Sequence, residues 1–510
     1  MASIIHSAAL VGIDAAPIGV EADIAQGLPN FVIVGLPDTA VQESKERIKI
    51  ALKNGGLPFP RTRLTVNLAP ADIKKEGPAY DLPIAVAILE ANGIVPPAEG
   101  KKRLFIGELG LDGSVRPVRG VLAVALMAAE RKFDELYVPQ ANAGEATLAS
   151  GIVVFGVSSM PELMRHLTGA APLSPAEPRP WPAATGGSSD YDFATIAGQH
   201  NAKRALEIAA AGGHNVLLSG PPGSGKTILA RALTTILPAM TREEVLEVTK
   251  IASVVGSADA GLAVVADRPF RAPHHTASGV ALIGGGSWPK PGEVSLAHRG
   301  VLFLDEFPEF SRSTLENLRQ PLEDGWVTVS RVSGTVRFPA KFMLVAAQNP
   351  CPCGFSSDPD HACSCTAAQV LRYGQKVSGP LLDRIDLHVE VPKIKVGELL
   401  DDVRAESSEA IRARVQEARD RAHARLHEHG LYTNAEMQHA LLKRLCPLPA
   451  EADDLLKAAA GRLKLSARAV IRVIKLARTV ADLDGDDRIG AQHVAEALHF
   501  RERQPALTLA

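Results

Sequence analysis

Aromatic residues are scarce: Phe, Tyr and Trp make up 4% of the 510-residue chain. That is too few for a binder that stacks many bases on ring faces. An excess of positive charge is missing as well, since 55 Lys and Arg face 57 Asp and Glu for a net charge of −2. A histone-like polycation is excluded, whereas a basic groove on a near-neutral whole is not. No uninterrupted apolar run approaches the roughly 18–20 residues that span a bilayer. The opening stretch MASIIHSAALVGIDAAP has no Lys or Arg ahead of its apolar part and meets Asp14 early. It makes a poor signal peptide, so the cytoplasm is the expected compartment. Cysteine is rare too: there are five, and four of them (Cys351, Cys353, Cys363 and Cys365) fall close together. In a reducing compartment such a cluster reads as a metal site before it reads as disulfides. Cys446 stands alone and reads as a small buried hydrophobe. Hydrophobic residues at 46% and charged residues at 22% give an ordinary globular balance. At roughly 100–200 residues per domain, the length suggests about three domains.

The clearest boundary is residues 168–192, rich in Pro and carrying a Gly-Gly-Ser-Ser run, which reads as a linker. Before it, residues 1–167 alternate strands with helices, an α+β or α/β pattern. Segments 31–35, 63–69, 103–109, 135–139 and 151–157 read as strands. Residues 39–56 read as an amphipathic helix and 121–132 as a buried one. Beyond the linker, residues 193–395 carry a helix at 201–213 and strands at 214–220, 300–307 and 341–349. Strands alternating with helices around a Gly-rich loop indicate a parallel sheet. From residue 396 to 510 the pattern is helical, with a charged helix at 409–429 and an amphipathic one at 466–483.

The Gly-rich loop is Gly220, Pro221, Pro222, Gly223, Ser224, Gly225, Lys226 and Thr227, a full G-x-x-x-x-G-K-[ST] run between a strand and a helix. Its backbone N–H groups can cradle phosphate oxygens, helped by the positive end of the following helix. Lys226 is expected to neutralise β/γ-phosphate charge, and Thr227 to ligate Mg²⁺. The apolar strand Val301-Leu-Phe-Leu ends in Asp305 and Glu306. Asp305 is placed to hold the Mg²⁺ shell and Glu306 to polarise the attacking water. A third strand ends in Asn349, a neutral polar group suited to orienting that water or touching the γ-phosphate. ATP and Mg²⁺ are therefore the expected ligands.

The cysteines fall as Cys351-Pro-Cys353 and Cys363-Ser-Cys365, separated by nine residues. Two pairs joined by a short loop can supply the four thiolates that tetrahedral Zn²⁺ takes. The tight C-x-C spacing also leaves unligated thiols or redox pairing open, and His361 could replace one thiolate. The cluster follows Asn349 directly, so a metal there could tie an ATP-sensing strand to a DNA-facing knob.

Four longer segments resemble the AAA+ ATPases, and within them the magnesium-chelatase-related branch: FRAPHHTAS (270–278), GEVSLAHRGVLFLDEF (292–307), NPCPCG (349–354) and SGPLLDRIDLHVEVP (378–392). With the N-terminal region they resemble the ComM/YifB-type family over essentially the whole chain. The resemblance implies an α/β fold: an AAA+ P-loop parallel-sheet core with a helical lid, preceded by a Lon-protease-like α+β domain. It also implies a ring-forming DNA motor, a helicase or branch-migration factor that promotes DNA integration in natural transformation or recombination. Arg384, in LLDRID, then resembles an arginine finger that reaches a neighbouring subunit's γ-phosphate. Arg468, in SARA, resembles the sensor-2 arginine of the lid, with Arg472 one helical turn on as the other option. A finger acting in trans requires a homo-oligomer; a closed ring is the simplest geometry, and the family suggests a hexamer.

DNA, single-stranded or branched, is the expected partner, with no membrane involved. Residues 326–339 read as a β-hairpin with Ser333-Gly334 at its turn, which would offer Arg331 and Arg337 to phosphates. The Gly-rich stretch 279–293 offers Lys290. His274 and His275 are expected to point apart on a strand and so not to share a metal ion.

EGPAYDLPIA (76–85) and GELGLDGSVRPVRGV (107–121) are the segments that resemble Lon-type protease domains. Where such proteases carry the serine this chain has Ala79, and Val121-Leu122 stand where the lysine is expected. Neither alanine nor leucine can act as nucleophile or base. A scaffold or DNA-contacting collar without peptidase activity is expected. The alternative function is a chelatase-type remodelling ATPase acting on a protein or metal-insertion partner.

Overall fold

The computed structural model describes residues 3–98, 100–178, 181, 191–256, 264–286, 289–331, 334–394 and 405–501. The Gly/Ser run of the expected linker therefore lies outside the described residues. The chain divides into two compact units, residues 1–182 with 242–265, and residues 183–241 with 266–510.

The first unit is built on strands β1 (Ser3–Val11), β2 (Asp14–Ala25), β3 (Asn30–Val34), β4 (Arg63–Ala69), β5 (Arg103–Phe105), β8 (Glu135–Pro139) and β9 (Val153–Val157). They form one sheet in the order β3-β4-β2-β1-β5-β8-β9. The β1–β2 hairpin occupies the stretch read above only as a poor signal sequence. Gly12 supplies the positive φ of its two-residue turn, with Val11 paired to Asp14. The expected strand 103–109 is broken: β5 stops at Phe105, and β6 (Glu108–Leu109) pairs instead with β7 (Val115–Arg116). Helix Asp81–Ala91 buries almost every side chain, as its unbroken apolar run requires.

One segment departs from linear order. Helix Arg242–Val255 lies in sequence inside the stretch 193–395, yet it belongs to the first unit. It buries Val245, Val248 and Ile251. The Ser253 carbonyl accepts from Gly120 N–H, and Ser253 Oγ donates to Glu145.

In the second unit, β10 (Val216–Ser219), β11 (Phe270–Arg271), β14 (Val301–Leu304), β17 (Met343–Gln348) and β18 (Leu387–Glu390) form an all-parallel sheet in the order β11-β14-β17-β10-β18. Helices cover both faces, so β14 and the first five residues of β17 are entirely buried. Two small hairpins decorate it, β12 (Gly284–Gly285) with β13 (Lys290–Pro291), and β15 (Trp326–Arg331) with β16 (Gly334–Pro339). Gly334 pairs with Arg331 and opens β16 rather than sitting in the turn; residues 332–333 lie outside the described residues.

Helices Ser408–Leu426, Ala450–Leu463, Ala467–Asp484 and Ala491–His499 share one apolar core with the sheet, through Val415, Ala422, Val473, Leu476 and Val480. A buried polar chain runs alongside it. Asp386 accepts from Asn215 N–H at 3.0 Å and pairs with Arg472. His214 Nε2 meets Thr479 Oγ1 at 2.8 Å, and Asn434 donates to both Thr479 and Asp482. Burial opposes ionisation of Asp386, but the Arg472 guanidinium and His214 outweigh it and hold the carboxyl well below the usual range. Nearby, burial together with the Arg501 guanidinium pushes the His388 imidazole down to about 4.

His388 thereby sets an expected pH dependence. A histidine depressed in the fold binds its proton first in the unfolded chain. Its contribution is complete above about 6.5 and is lost as pH falls from there towards 4. The loss amounts to about 3 kcal/mol in total. Thermal unfolding at pH 7 and pH 5 measures it, and His388→Leu is expected to reduce the slope by up to one proton.

Candidate functional site

Parallel sheets place ligand sites at the carboxyl ends of their strands. Here β10 lies between β17 and β18, so the loop leaving β10 is flanked by residues that follow both neighbours. Gly220 N–H donates to Gln348 O at 3.2 Å. A Cβ at Gly220 would lie 2.1 Å from the Val391 carbonyl, which is why glycine is needed there. Gln199, before the first helix of this unit, donates to both Ser224 O and Pro392 O and closes the third side. Ser224 is buried, whereas Pro222 and Gly223 are exposed.

Lys226 opens helix Lys226–Ile236 and is itself buried. Its Nζ folds back to donate to Gly220 O at 2.7 Å, Pro221 O at 2.8 Å and Asn349 Oδ1 at 3.3 Å. Burial lowers its pKa, with Asp305 opposing. Thr227 Oγ1 donates to Asp305 Oδ2 at 2.9 Å, so a hydroxyl and a carboxylate oxygen sit side by side at the loop. That donor pair suits a hard divalent cation such as Mg²⁺. Asp305 Oδ1 accepts from Glu306 N–H. Glu306 adopts a left-handed φ of 50° and holds its Oε2 2.8 Å from His275 Nδ1. Lys226, Thr227, Asp305, Glu306 and Asn349, separated by up to 123 positions in the chain, thus converge.

The expected separation of His274 and His275 is overturned. Strand β11 ends at Arg271, so the pair lies in the loop beyond it, and the two rings pack 4.1 Å apart. His274 Nδ1 contacts Thr276 Oγ1, while His275 reaches Glu306. The His275 contact has no spacing signal in the sequence, because its partner lies 31 positions away, just past the end of β14.

Arg384 is buried, donates to Pro380 O at 2.6 Å and pairs with Glu323 of the same chain. Arg468 is 59% exposed and lies 3.5 Å from the other oxygen of Glu323. Arg472 is taken up by Asp386, which separates the two candidate lid arginines by environment. Glu323 was not singled out by any motif. Arg337 is exposed and its guanidinium lies 5.3 Å from the centre of the Trp326 ring. Lys290 is exposed on β13, and Arg331 ends β15 with its side chain outside the described residues.

Cys351, Cys353, Cys363 and Cys365 come together with their sulfur atoms within 4.8 Å of one another. Three of the separations are 3.4, 3.5 and 3.7 Å. These are far longer than a disulfide bond, and all four are free thiols. Zn–S bonds of about 2.3 Å in a tetrahedron put the sulfurs about 3.8 Å apart, close to what is found. His361 instead meets Asp358, at 3.1 Å. The backbone N–H of Phe355 helps pull the Cys353 thiol down to about 5, while the neighbouring sulfurs push the Cys363 and Cys365 thiols up. Cys446 is buried, as expected.

In the first unit the segments 76–85 and 107–121 meet. Gly107 N–H donates to Ala79 O at 2.9 Å, and Leu109 N–H to Asp81 Oδ2 at 3.2 Å. Arg47 also grips Asp81, and burial pushes that carboxyl up to about 6. No helix of the described residues is long and apolar enough to cross a membrane.

A phosphate-loop strand inside a 2-3-4-1-5 parallel sheet, an acidic pair at the end of the next strand but one, and C-terminal helices define an AAA+ nucleotide-binding protein. Comparison narrows this to the magnesium-chelatase branch. Residues 192–399 match the family "Magnesium chelatase, subunit ChlI", residues 20–142 match "Subunit ChlI of Mg-chelatase", and residues 405–501 match its C-terminal family. An uncharacterized protein of Mycobacterium tuberculosis is 44% identical over 97% of this chain and 98% of its own. Competence protein ComM of Haemophilus influenzae is 42% identical over 98% of this chain and 97% of its own. The uncharacterized protein YifB of Escherichia coli is 41% identical over 98% and 97%. The chain belongs to the ComM/YifB family of magnesium-chelatase-like AAA+ proteins.

Proposed function

We propose that this protein is an ATP-driven, ring-forming DNA motor of the cytoplasm that moves branched or single-stranded DNA during natural transformation or recombination. The observation that carries the reading is the convergence of Lys226, Thr227, Asp305, Glu306 and Asn349 on one loop. Lys226 would exchange its loop carbonyls for phosphate oxygens, its charge preserved beside Asp305. Thr227 and Asp305 would hold Mg²⁺, which supplies charge neutralisation across the β- and γ-phosphates. Glu306 would take the proton of the attacking water, and Asn349 would orient that water. Arg384 of one subunit would complete the site of the next, making a homohexamer the working form. Arg468 would report on nucleotide from the lid. Arg331, Arg337 and Lys290, all on small hairpins, are the proposed contacts to DNA phosphates.

The full-length likeness to a protein named for competence supports the DNA reading over the chelatase-type one. The four cysteines are proposed to hold structural zinc, on the tetrahedral sulfur spacing above. The N-terminal unit is proposed to be Lon-like and without peptidase activity, since the methyl group of Ala79 has no nucleophile to offer. ATP hydrolysis measured with and without single-stranded or branched DNA tests the motor reading. Stimulation of at least several-fold is expected; DNA that neither binds nor stimulates would leave the remodelling function in its place.

A further inference from the structure

The cysteine cluster is not remote from the nucleotide site. It begins two residues after Asn349, whose Oδ1 accepts from Lys226. Cys351 is completely buried, and its carbonyl accepts from Gly354 N–H at 3.0 Å, closing a tight turn. Gly354 adopts a φ of +87°. A Cβ there would lie 2.7 Å from both Cγ and Cδ of Pro222, in the phosphate loop, and 3.9 Å from Cγ of Asn349. A proline ring is not the mobile end of a flexible side chain, so this is close packing of one backbone turn on another. Residues 351–365 contain no helix or strand, and most of their side chains are exposed. Neither an apolar core nor a hydrogen-bonded ladder therefore accounts for the order of the turn. Coordination by four sulfurs does, because such a site exists only in the folded chain and its binding energy is folding energy. On its other side, Lys393 lies 3.4 Å from Asp360 within the same segment, two residues past the Val391 carbonyl that covers Gly220.

We propose that the four-cysteine site is a metal-dependent clamp on the phosphate loop: bound metal holds the 351–354 turn, which seats Gly354 on Pro222 and keeps Asn349 beside Lys226, so metal occupancy sets nucleotide affinity. The proposal rests on the nucleotide-site reading given above. It adds that a metal ion bound beyond the reacting groups regulates that site. Metal loss frees the turn, Pro222 loses its support, and Asn349 leaves the lysine. Losing a hydrogen bond to a charged group costs enough to weaken binding roughly tenfold.

The test uses the full-length protein, purified from zinc-supplemented cells, with metal content and the affinity for a fluorescent ATP analogue measured in excess Mg²⁺. About one zinc per chain is expected. Stripping with a zinc-selective chelator is expected to weaken the analogue roughly tenfold or more, and Zn²⁺ alone to restore it. Cys363→Ser/Cys365→Ser should lose both metal and affinity. Gly354→Ala should keep its zinc yet bind the analogue about as weakly as stripped protein. Unchanged affinity after stripping, wild-type affinity in Gly354→Ala, or absence of bound metal each overturns the clamp. Lys226→Ala separates the two readings: if zinc-loaded wild type binds no better than this variant, the nucleotide site itself fails and the clamp falls with it.

Discussion

Arg384→Ala is expected to lower the rate of ATP hydrolysis by about 10³–10⁵, the contribution of an arginine supplied to a phosphoryl group in flight. The planar guanidinium offers permanent charge in a fixed fork, which a lysine cannot reproduce. In the single chain this side chain is paired with its own Glu323, and Pro380 O takes a second donor. To act on a neighbour it must leave Glu323, and Arg468 is already positioned to keep that carboxylate company, at 3.5 Å. The variant is therefore expected to bind ATP normally and fail to hydrolyse it. Mixing supplies the decisive measurement. Lys226→Ala subunits have a finger and no working site, while Arg384→Ala subunits have a site and no finger. Combined in one ring, they are expected to recover activity that neither has alone. If Arg384→Ala hydrolyses ATP like wild type, or if mixing restores nothing, the arginine does not act in trans. A purely structural role would instead lower ATP affinity and unfolding temperature together.

Glu306→Gln is expected to reduce kcat by about 10²–10⁴, the range for a lost general base, with ATP affinity retained. The amide keeps the size of the carboxylate but cannot take a proton. Asp305 rather than Glu306 touches Thr227, so the proposed metal position is undisturbed. Glu306 is held off the strand by its left-handed backbone, and His275 approaches its free oxygen at 2.8 Å. Tight binding of the ATP analogue together with slow turnover confirms the assignment. A parallel loss of affinity would move Glu306 from chemistry to binding.

The parts of this site that sequence reveals are those carried by short local runs. The phosphate loop, the acidic strand end and the two cysteine pairs are each contiguous, and each residue type answers a chemical need at that spacing. The same holds for β4 and for the helix that begins at Thr39, whose period is plain. Contacts between distant segments leave no such trace. Nothing near Glu323 announces that it will meet two arginines, and nothing near Gly354 announces Pro222. The histidine pair misleads because the strand before it is two residues long, too short for alternation to govern where the rings point. The β1–β2 hairpin escapes notice because β1 buries consecutive residues over part of its length and so blurs the period of two.

Helix Arg242–Val255 carries a consequence for inheritance. The chain passes from one unit to the other at 182/183, at 241/242 and at 265/266. A domain joined by one linker can be lost, swapped or appended by a single genetic cut. One that keeps a loop of its neighbour cannot. Cutting at the Pro-rich linker would leave Val245, Val248 and Ile251 without the partners that bury them, each worth about 1.5–3 kcal/mol when removed from water. A single cut at the Pro-rich linker therefore does not release two intact halves, because the buried face of this helix goes with the part that precedes the linker.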